Sequence, residues 1–193
     1  MKIMMIVGVL FILLPGVRGQ ETHFGVKGGI NISSLHRGED NLDSKTGFNA
    51  GAFAHIHASE KWALQPEIVF STEGAKERPG GNNAKKIYRL SYLNVPVLLQ
   101  YMFRNGLRLE GGPQLGFLMS AKDKINNTIT DQKNNYQKVA VSLPLGISFL
   151  TRKGIGLDAR YVFGLSNINQ AADPVIQSNV FQFGIFFQRD TWK

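Results

Sequence analysis

The sequence predicts an all-β protein, an eight-stranded antiparallel up-and-down transmembrane β-barrel, on the strength of three observations. Apolar and polar residues alternate in eight segments, and a period of two is the period of a β-strand, whose successive side chains point to opposite faces. The connections between the segments are alternately long and short. The first nineteen residues have the features of a secretory signal peptide.

The N-terminal segment predicts export. Lys2 supplies a positive start, residues 3–14 are almost wholly apolar, and small residues lead up to Gly19. We therefore expect residues 1–19 to be a signal peptide cleaved after Gly19, and residues 20–193 to form the outer-membrane β-barrel domain. The apolar run is too short to cross a bilayer as a helix. The chain has no cysteine, which excludes a lipidated N-terminal cysteine, disulfides and thiolate metal sites.

The alternation is clearest in residues 87–121, where two apolar runs flank a short break. The odd-numbered positions are apolar or small from Leu93 to Phe103 and from Leu107 to Met119, while Arg108 and Glu110 occupy the opposite face. Prolines inside both runs argue against helices, because proline removes a backbone hydrogen bond and clashes with the preceding turn. The segment therefore predicts a β-hairpin with one apolar face and one polar, charged face.

The same alternation defines all eight strands and their connections. The strands are predicted at residues 22–32, 46–58, 62–73, 87–103, 107–121, 136–150, 154–165 and 179–188. The long connections are 33–45, 74–86, 122–135 and 166–177, and the short ones are 59–61, 104–106 and 151–153. Outer-membrane barrels have short periplasmic turns and longer outside loops, and their strands need roughly 9–11 residues to cross at a tilt. The lengths therefore favour a membrane barrel over a soluble sandwich, because typical soluble strands have about five or six residues.

The outward-facing aromatic residues sort into two predicted belts, as expected of rings at the two membrane interfaces. The belt near the short turns comprises Phe24, Trp62, Tyr101, Phe103, Phe149 and Phe187. The belt nearer the long loops comprises Phe48, Phe70, Phe117, Phe163 and Phe181. Aromatic rings in a sandwich core need not sort by height, so the belts also favour the membrane barrel.

Five short motifs support a family resemblance that covers essentially the whole barrel domain. They are Gly-Val-Lys-Gly-Gly-Ile-Asn at 25–31, Leu-Gln-Pro-Glu at 64–67, Tyr-Leu-Asn-Val-Pro at 92–96, Glu-Gly-Gly-Pro-Gln at 110–114 and Asp-Ala-Arg-Tyr at 158–161. In these motifs the chain resembles the PorT-like outer-membrane β-barrel family of Bacteroidetes, although Asn94 stands where relatives often have glutamate. The resemblance implies an eight-stranded barrel. It also implies an accessory role in protein secretion, since the founding member is associated with the type IX system.

The inward face of the predicted barrel carries charged residues, namely Lys27, Glu67, Glu73, Arg108, Glu110, Asp158 and Arg160. An isolated buried charge is very costly, so opposite charges in a narrow interior must pair. We expect a structural charge cluster in which Glu67, Glu110 and Asp158 neutralise Arg108 and Arg160. The remaining hydrogen bonds are expected from Gln65, Asn94, Gln100 and Gln114. Barrels of this size are filled by side chains, so the sequence predicts a packed polar plug rather than an ion path.

The sequence predicts no catalytic, cofactor-binding or metal-binding residues. Arginines close to Glu67 and Glu110 favour ionised, structural carboxylates over acid–base catalysts. His23, His55 and His57 are predicted at the periplasmic end of the barrel, and His36 is predicted in an outside loop. Some small outer-membrane barrels modify lipid A with a histidine and a serine or acidic partner, but lipid A lies in the outer leaflet. For a metal site, His55 and His57 share one strand face but lack a third ligand.

The expected partners follow from export and charge. The formal net charge of +8 falls to +6 when Lys2 and Arg18 leave with the signal peptide. An exported protein is not expected to meet nucleic acid, so outer-membrane lipids and lipopolysaccharide are the expected anionic partners. The basic residues of the predicted loops are Arg37, Lys45, Lys76, Arg78, Lys85, Lys86, Lys122, Lys124 and Lys133. These residues either are solvated charges or contact lipopolysaccharide phosphates or a protein partner.

The sequence therefore predicts a monomeric outer-membrane protein with a structural or binding role and with any ligand contacts in the long loops. The family resemblance makes envelope or secretion-system proteins the expected protein partners. Two alternatives stay open, namely a lipid A-modifying enzyme of the outer membrane and a soluble periplasmic lipocalin-like binding barrel. The orientation of the apolar and charged faces decides between a membrane barrel and a soluble one.

Overall fold

A computed structural model describes residues 21–37, 40–77, 86–125, 128–171 and 174–189. Within these ranges eleven strands form one antiparallel sheet. The strands are β1 (Thr22–Arg37), β2 (Asp40–Asn41), β3 (Asp43–His57), β4 (Trp62–Glu77), β5 (Lys86–Met102), β6 (Leu107–Gly111), β7 (Gln114–Ile125), β8 (Thr128–Asp131), β9 (Val139–Leu150), β10 (Ile155–Gly164) and β11 (Ile176–Gln188). A 3-10 turn, Lys133–Asn135, precedes β9. The predicted signal peptide and its cleavage site lie outside the described residues, among which no helix is long and apolar enough to cross a membrane.

The sheet closes into a ring of eight wall strands. Strands β1, β3, β4 and β5 pair in succession, and so do β9, β10 and β11. β11 pairs with β1 and closes the ring. β6 and β7 together form the wall between β5 and β9, with a break at Gly112 and Pro113. β2 and β8 pair with the ends of β1 and β7 that lie far from the short turns. The predicted eight-stranded antiparallel up-and-down barrel is confirmed.

The barrel wall is apolar outside and charged inside. On the outer surface the side chains of Leu109 and Leu145 are 45% and 46% exposed. Glu67, Arg108 and Arg160 point into the lumen and are only 2%, 6% and 4% exposed. A soluble barrel must present a polar surface to water, so this arrangement does not fit the lipocalin-like alternative.

Outward aromatic rings contact one another toward both ends of the apolar wall. Next to the short turns, the ring centroid of Tyr101 lies 5.0 Å from those of Trp62 and Phe103. Toward the opposite end, the centroids of Phe48 and Phe70 are 5.9 Å apart. Rings on both sides of an aliphatic band are the arrangement found at the two interfaces of a bilayer.

Several wall strands continue past the outer aromatic belt into positions that the sequence pattern assigned to loops. β1 ends at Arg37, β4 at Glu77 and β7 at Ile125, and β3 begins at Asp43. The predicted boundaries are too short because the outward positions become polar here, as at Lys122, while the backbone ladder continues. We call the outer ends of β3, β4, β5 and β7, together with β8, the sheet extension.

A β-bulge at Met119 reverses the two faces of β7. The register with β5 skips this residue, so that Ser120 pairs with the outward-facing Ser91. Beyond the bulge Ala121 points inward and is fully buried. Ser120 has the same parity as Arg108 and Glu110, so the alternation predicts it on the lumen face. This is wrong because one inserted residue moves every later side chain to the other face.

The outer part of the lumen is apolar rather than polar. A buried cluster there contains Leu35, Ala75, Tyr88, Leu90, Tyr92, Leu118, Ala121, Tyr136 and Ile168. Most of these residues are on inward faces of the sheet extension, and Tyr136 and Ile168 come from the connections that border β9 and β10. The expectation of a polar plug throughout is therefore corrected. Where the sheet rises above the bilayer it meets water on its outside and encloses an apolar core, as in a soluble protein.

Candidate functional site

Arg160 on β10 is the centre of the lumen charge cluster. Its Nη1 and Nη2 atoms each donate to one oxygen of Glu67 on β4 at 2.8 Å, which makes a bidentate pair. Its Nε atom donates to Glu110 on β6. One guanidinium therefore joins three strands across the lumen, a role that its planar fork of donors fills better than a lysine ammonium.

Lys27 on β1 is the second cation of the cluster. Its Nζ atom donates to Asp158 Oδ2 at 3.1 Å and lies 3.8 Å from Glu67 Oε2. Asp158 Oδ2 is also 3.7 Å from the Nε atom of Arg160. The sequence placed Lys27 on the inward face but assigned it no partner. The structure shows that two cations hold the three buried carboxylates.

Neutral side chains add hydrogen bonds to Glu67 and Glu110. Gln65 Nε2 donates to Glu67 Oε1 at 2.8 Å, and Gln100 Nε2 donates to Glu110 Oε2 at 2.7 Å. Ser148 Oγ also donates to Glu110, at 3.4 Å. Because Glu67 and Glu110 each accept from several donors, the cluster is suited to stabilising the barrel rather than to exchanging protons with a substrate.

Arg108 is in a layer closer to the short turns. Its Nη1 atom donates to Gln188 Oε1 at 3.1 Å. Of the predicted cluster, the structure brings together Glu67, Glu110, Asp158 and Arg160. The second cation of the cluster was expected to be Arg108, and in the structure it is Lys27. Arg108 and Glu110 are two residues apart on one strand, so they share a face but differ in height by roughly 7 Å along the strand. The parity of a residue in the sequence predicts which face of the sheet its side chain is on. It does not predict which side chain of another strand lies at the same height.

A second polar layer lies between the charge cluster and the apolar core. Ser71 and Ser178 donate to the two oxygens of Glu73 at 3.0 and 2.9 Å. Asn31 Nδ2 donates to Ser71 Oγ at 2.9 Å, and Asn49 Nδ2 donates to Asn31 Oδ1 at 2.6 Å. Buried polar groups here satisfy one another in a connected network, as low-dielectric interiors require.

The lumen is filled at the level of both polar layers. The cavity beside Arg160 and Glu110 has a volume of about 10 Å³, and the cavity beside Glu73 has about 20 Å³. A cavity needs roughly 10–15 Å³ to hold one water molecule. Side chains therefore block the lumen at these two levels.

Three histidines gather in the lumen at the short-turn end. His23 on β1 lies opposite His55 on β3 in the ladder, and His57 projects from the same face as His55. The ring centroids of His55 and His57 are 4.7 Å apart, and His23 is 6.3 Å from His55. The sequence paired only His55 with His57, because the neighbour on β1 is visible only from the register. Among the described residues no group of three or more histidines or carboxylates is arranged to hold a metal ion.

A cavity of about 330 Å³ opens at the mouth of the barrel, above the lumen layers. Leu35 and Tyr136 of the apolar core line it, and so does Ile176 at the start of β11. Asp123 and Asn135 contribute polar groups to the same lining. The volume lies at the lower end of the range of small-ligand pockets, roughly 300–1,000 Å³.

A charge pair forms part of the wall of this mouth cavity. Lys86 Nζ lies 3.1 Å from Asp123 Oδ2 and 4.6 Å from the ring centroid of Tyr88. The Tyr88 hydroxyl donates to Glu77 Oε2 at 2.9 Å. Partial burial acts to lower the pKa of Lys86, but hydrogen bonding to Asp123 and Tyr88 outweighs it and raises the pKa above its ordinary value. Lys86 is therefore a cation at neutral pH, and Asp123 neutralises it.

The apolar outer wall, the aromatic belts and the filled, charged lumen define the class of protein, an integral outer-membrane β-barrel of the small, closed kind. A match over residues 18–170 shows the family: the chain belongs to the outer membrane protein beta-barrel domain family.

Solved structures of two outer-membrane proteins share this fold. Neisserial surface protein A, from Neisseria, is 13% identical with a TM-score of 0.63, and the alignment covers 88% of this chain and 99% of that chain. Ail, the attachment invasion locus protein of Yersinia pestis, in complex with the heparin analogue sucrose octasulfate, is 14% identical with a TM-score of 0.57 over 88% and 99% of the two chains. At these identities the likeness shows the fold alone. None of the curated proteins matches the sequence.

Proposed function

We propose that this protein is a non-enzymatic binding protein of the outer membrane, whose protein partner docks at the extracellular mouth of the barrel. The observation that carries the proposal is the contrast between the lumen and the mouth. Side chains fill the lumen around Arg160 and Glu73, whereas a cavity of about 330 Å³ is open above them. The chemistry available to such a barrel is contact from outside rather than transport.

The lining of the mouth cavity favours a protein segment as its occupant. Ile176 and Tyr136 offer apolar surface to one or two side chains of a partner, and Asn135 offers an amide beside them. The pairing of Lys86 with Asp123 leaves this part of the wall without an uncompensated charge. An apolar anchor flanked by polar groups is the common form of a side chain that dominates a protein interface.

The positions of the histidines support a non-enzymatic role. Short turns are periplasmic in outer-membrane barrels. His23, His55 and His57 lie in the lumen at that end, far from the outer leaflet that contains lipid A. His36, near the opposite end of β1, is exposed. A lipid A-modifying enzyme would need its acid–base groups at the outer leaflet, so this alternative has no support among these residues.

The resemblance to PorT-like barrels supports a finer role, in which the partner at the mouth belongs to a protein-secretion system. In this proposal the chain is exported with a signal peptide that is cleaved after Gly19, and the barrel acts as a monomer. Amino-terminal sequencing of the barrel purified from outer membranes is expected to begin at Gln20. A sequence that begins before Gln20 would contradict the proposed cleavage site.

A cavity-filling substitution tests the docking site. Ile176→Trp places an indole ring in the mouth cavity, and a photo-crosslinking residue at the position of Gln132, which lines the same cavity, reports the partner in intact cells. We expect the crosslinked adduct to fall about tenfold or more, because the ring takes the place of the partner's anchor side chain. The same cells report whether the variant restores secretion in a strain that lacks the barrel.

Ile147→Trp is the matched control, since it makes the same change on the lipid-facing wall, where Ile147 is 50% exposed. It is expected to leave the adduct unchanged. An adduct that persists in Ile176→Trp, or that falls equally in both folded variants, would exclude the mouth as the docking site. A lost adduct with normal secretion would retain the docking site and remove the secretion role.

A further inference from the structure

A patch of basic side chains covers the outward face of the sheet extension. We define the basic patch as Lys45, Lys76, Arg89, Lys122 and Lys124. Arg89 on β5 lies in register with Lys122 on β7, and the next row toward the strand ends contains Lys76 on β4 and Lys124 on β7. Lys45 joins the patch from β3, where its Nζ atom donates to the backbone oxygen of Glu73 at 3.1 Å. Arg89 and Lys122 are exposed, and the others are half-buried.

The charges of the basic patch act on one another. Partial burial, and then the charges of Arg89 and Lys76, lower the pKa of Lys45. Like charges directly opposite each other in a ladder are destabilising, and Arg89 stands opposite Lys122. Within the described ranges, no salt bridge is formed by Arg89, Lys122 or Lys124. The patch therefore concentrates positive charge at a cost in stability, and a bound anion would relieve that cost.

Two carboxylates border the basic patch. Asp43 on β3 is in register with Lys76, and Asp131 on β8 is in register with Lys122. Five cations against two anions leave a clear excess of positive charge on one face of the sheet. Such a face attracts anions over a distance of about 8 Å, the Debye length at physiological ionic strength.

The height of the basic patch points to the class of anion. Phe70, Leu93 and Phe117 form an apolar row below the patch, Met119 is exposed just above this row, and Arg89 lies four residues beyond Leu93. Four residues of a strand tilted by 35–45° rise roughly 10 Å. The polar headgroup region extends about 5–8 Å beyond the hydrocarbon core on each side of a bilayer. Arg89 and Lys122 therefore lie just beyond this region, and their long side chains can reach down into it.

We propose that the basic patch binds the phosphate groups of lipid A, the phosphorylated glycolipid anchor of lipopolysaccharide, in the outer leaflet. The phosphates would contact Arg89, Lys122 and Lys124, while the acyl chains would lie along the apolar row that contains Leu93. In lipid A the phosphates lie above the acyl chains, and on the protein surface the basic patch lies above the apolar row in the same order. This site is on the outer face of the sheet and is independent of the proposed docking site in the mouth.

The test uses a variant with three neutralised charges, Arg89→Gln with Lys122→Gln and Lys124→Gln. The full barrel is placed in phosphocholine nanodiscs that contain bis-phosphorylated lipid A, and native mass spectrometry counts the lipid A that it retains. Each basic residue near an anionic surface contributes roughly fivefold in affinity, so the variant is expected to bind lipid A about a hundredfold more weakly. The single variant Arg89→Gln is expected to lose about fivefold.

The matched control removes three charges from the exposed short turns, through Arg104→Gln with Arg152→Gln and Lys153→Gln. It is expected to bind lipid A as the parent does, and heat-modifiable mobility on gels shows that each variant is folded. Lipid A without phosphates is expected to lose binding to the parent barrel. Equal binding of that lipid, or equal losses in the control and the test variants, would overturn the proposal.

Soluble anions distinguish a lipid site from a general anion site. Inorganic phosphate and sucrose octasulfate are added in water to the parent barrel in nanodiscs without lipid A. Weak or no binding of both is expected, because neither supplies acyl chains for the apolar row below Arg89. Binding of either anion as tight as that of lipid A would show that the patch recognises aqueous anions and would overturn the proposal of a lipid site.

Discussion

Replacing Arg160 with methionine is expected to lower the free energy of unfolding of the barrel by about 3–5 kcal/mol, the usual cost of removing one partner from a buried ion pair. Arg160 is only 4% exposed and donates to both Glu67 and Glu110. The remaining cation, Lys27, lies 3.8 Å from Glu67 and cannot replace a bidentate pair. Urea unfolding in phosphocholine vesicles, followed by tryptophan fluorescence, measures the change.

The matched control is Arg152→Met, in an exposed short turn, which is expected to leave the unfolding free energy unchanged. Adding Glu67→Gln and Glu110→Gln to Arg160→Met is expected to recover part of the loss, because neutral amides need no buried cation. An Arg160→Met barrel as stable as the parent would show that the cluster does not stabilise the fold. The recovery experiment separates the loss of charge pairing from the loss of packing.

Leu145→Arg is expected to destabilise the barrel by about 2–4 kcal/mol, the cost of an arginine at the bilayer midplane on the lipid face of a β-barrel. Leu145 is 46% exposed on the outer surface of β9. It lies near the middle of the apolar wall, since Phe149 is near one end of β9 and Val139 at the other pairs with Phe117. The same urea titration in vesicles measures the effect.

Val139→Arg provides the depth control, because Val139 is equally exposed, at 45%, but lies at the outer end of the same strand. Its expected cost is only about 0–1 kcal/mol, the value for arginine near an interface. A negligible effect at both positions would mean that the outer face meets water rather than hydrocarbon. A large effect at both would place the outer interface farther along the strand than Phe117 indicates.

Alternation alone was enough to predict the barrel wall. Leu93, Leu109 and Leu145 point outward and Glu67 and Arg160 point inward, as their parity indicates. The prediction works because the direction of a side chain in a strand depends only on its position in a two-residue repeat. The short turns were predicted because polar residues interrupt the alternation there. Gly106, in one of these turns, adopts a positive φ angle, a conformation that glycine takes up without strain. Gly154 does the same, although the alternation assigned it to the start of the next strand.

The parts that sequence reasoning missed depend on contacts between strands. The bulge at Met119 is a property of the pairing of β7 with β5, so the face of Ser120 could not be predicted from β7 by itself. The outer apolar core was missed because several of its residues, such as Leu35 and Ala75, lie in strand ends that the loss of outward apolar residues made look like loops. The signal available in the sequence was the apolar residues at the inward positions of these strand ends.

Except beyond the bulge in β7, the sequence by itself determined which side chains face lipid and which face the lumen, because that choice follows from local geometry. Only the tertiary structure decided which lumen charges meet. Lys27 reaches Asp158 across a separation of 131 residues, and Arg160 reaches Glu67 across 93, after the closure of the ring brings their strands to a common height. Partner choice across a barrel depends on the register of all eight strands together, and no single strand carries that information.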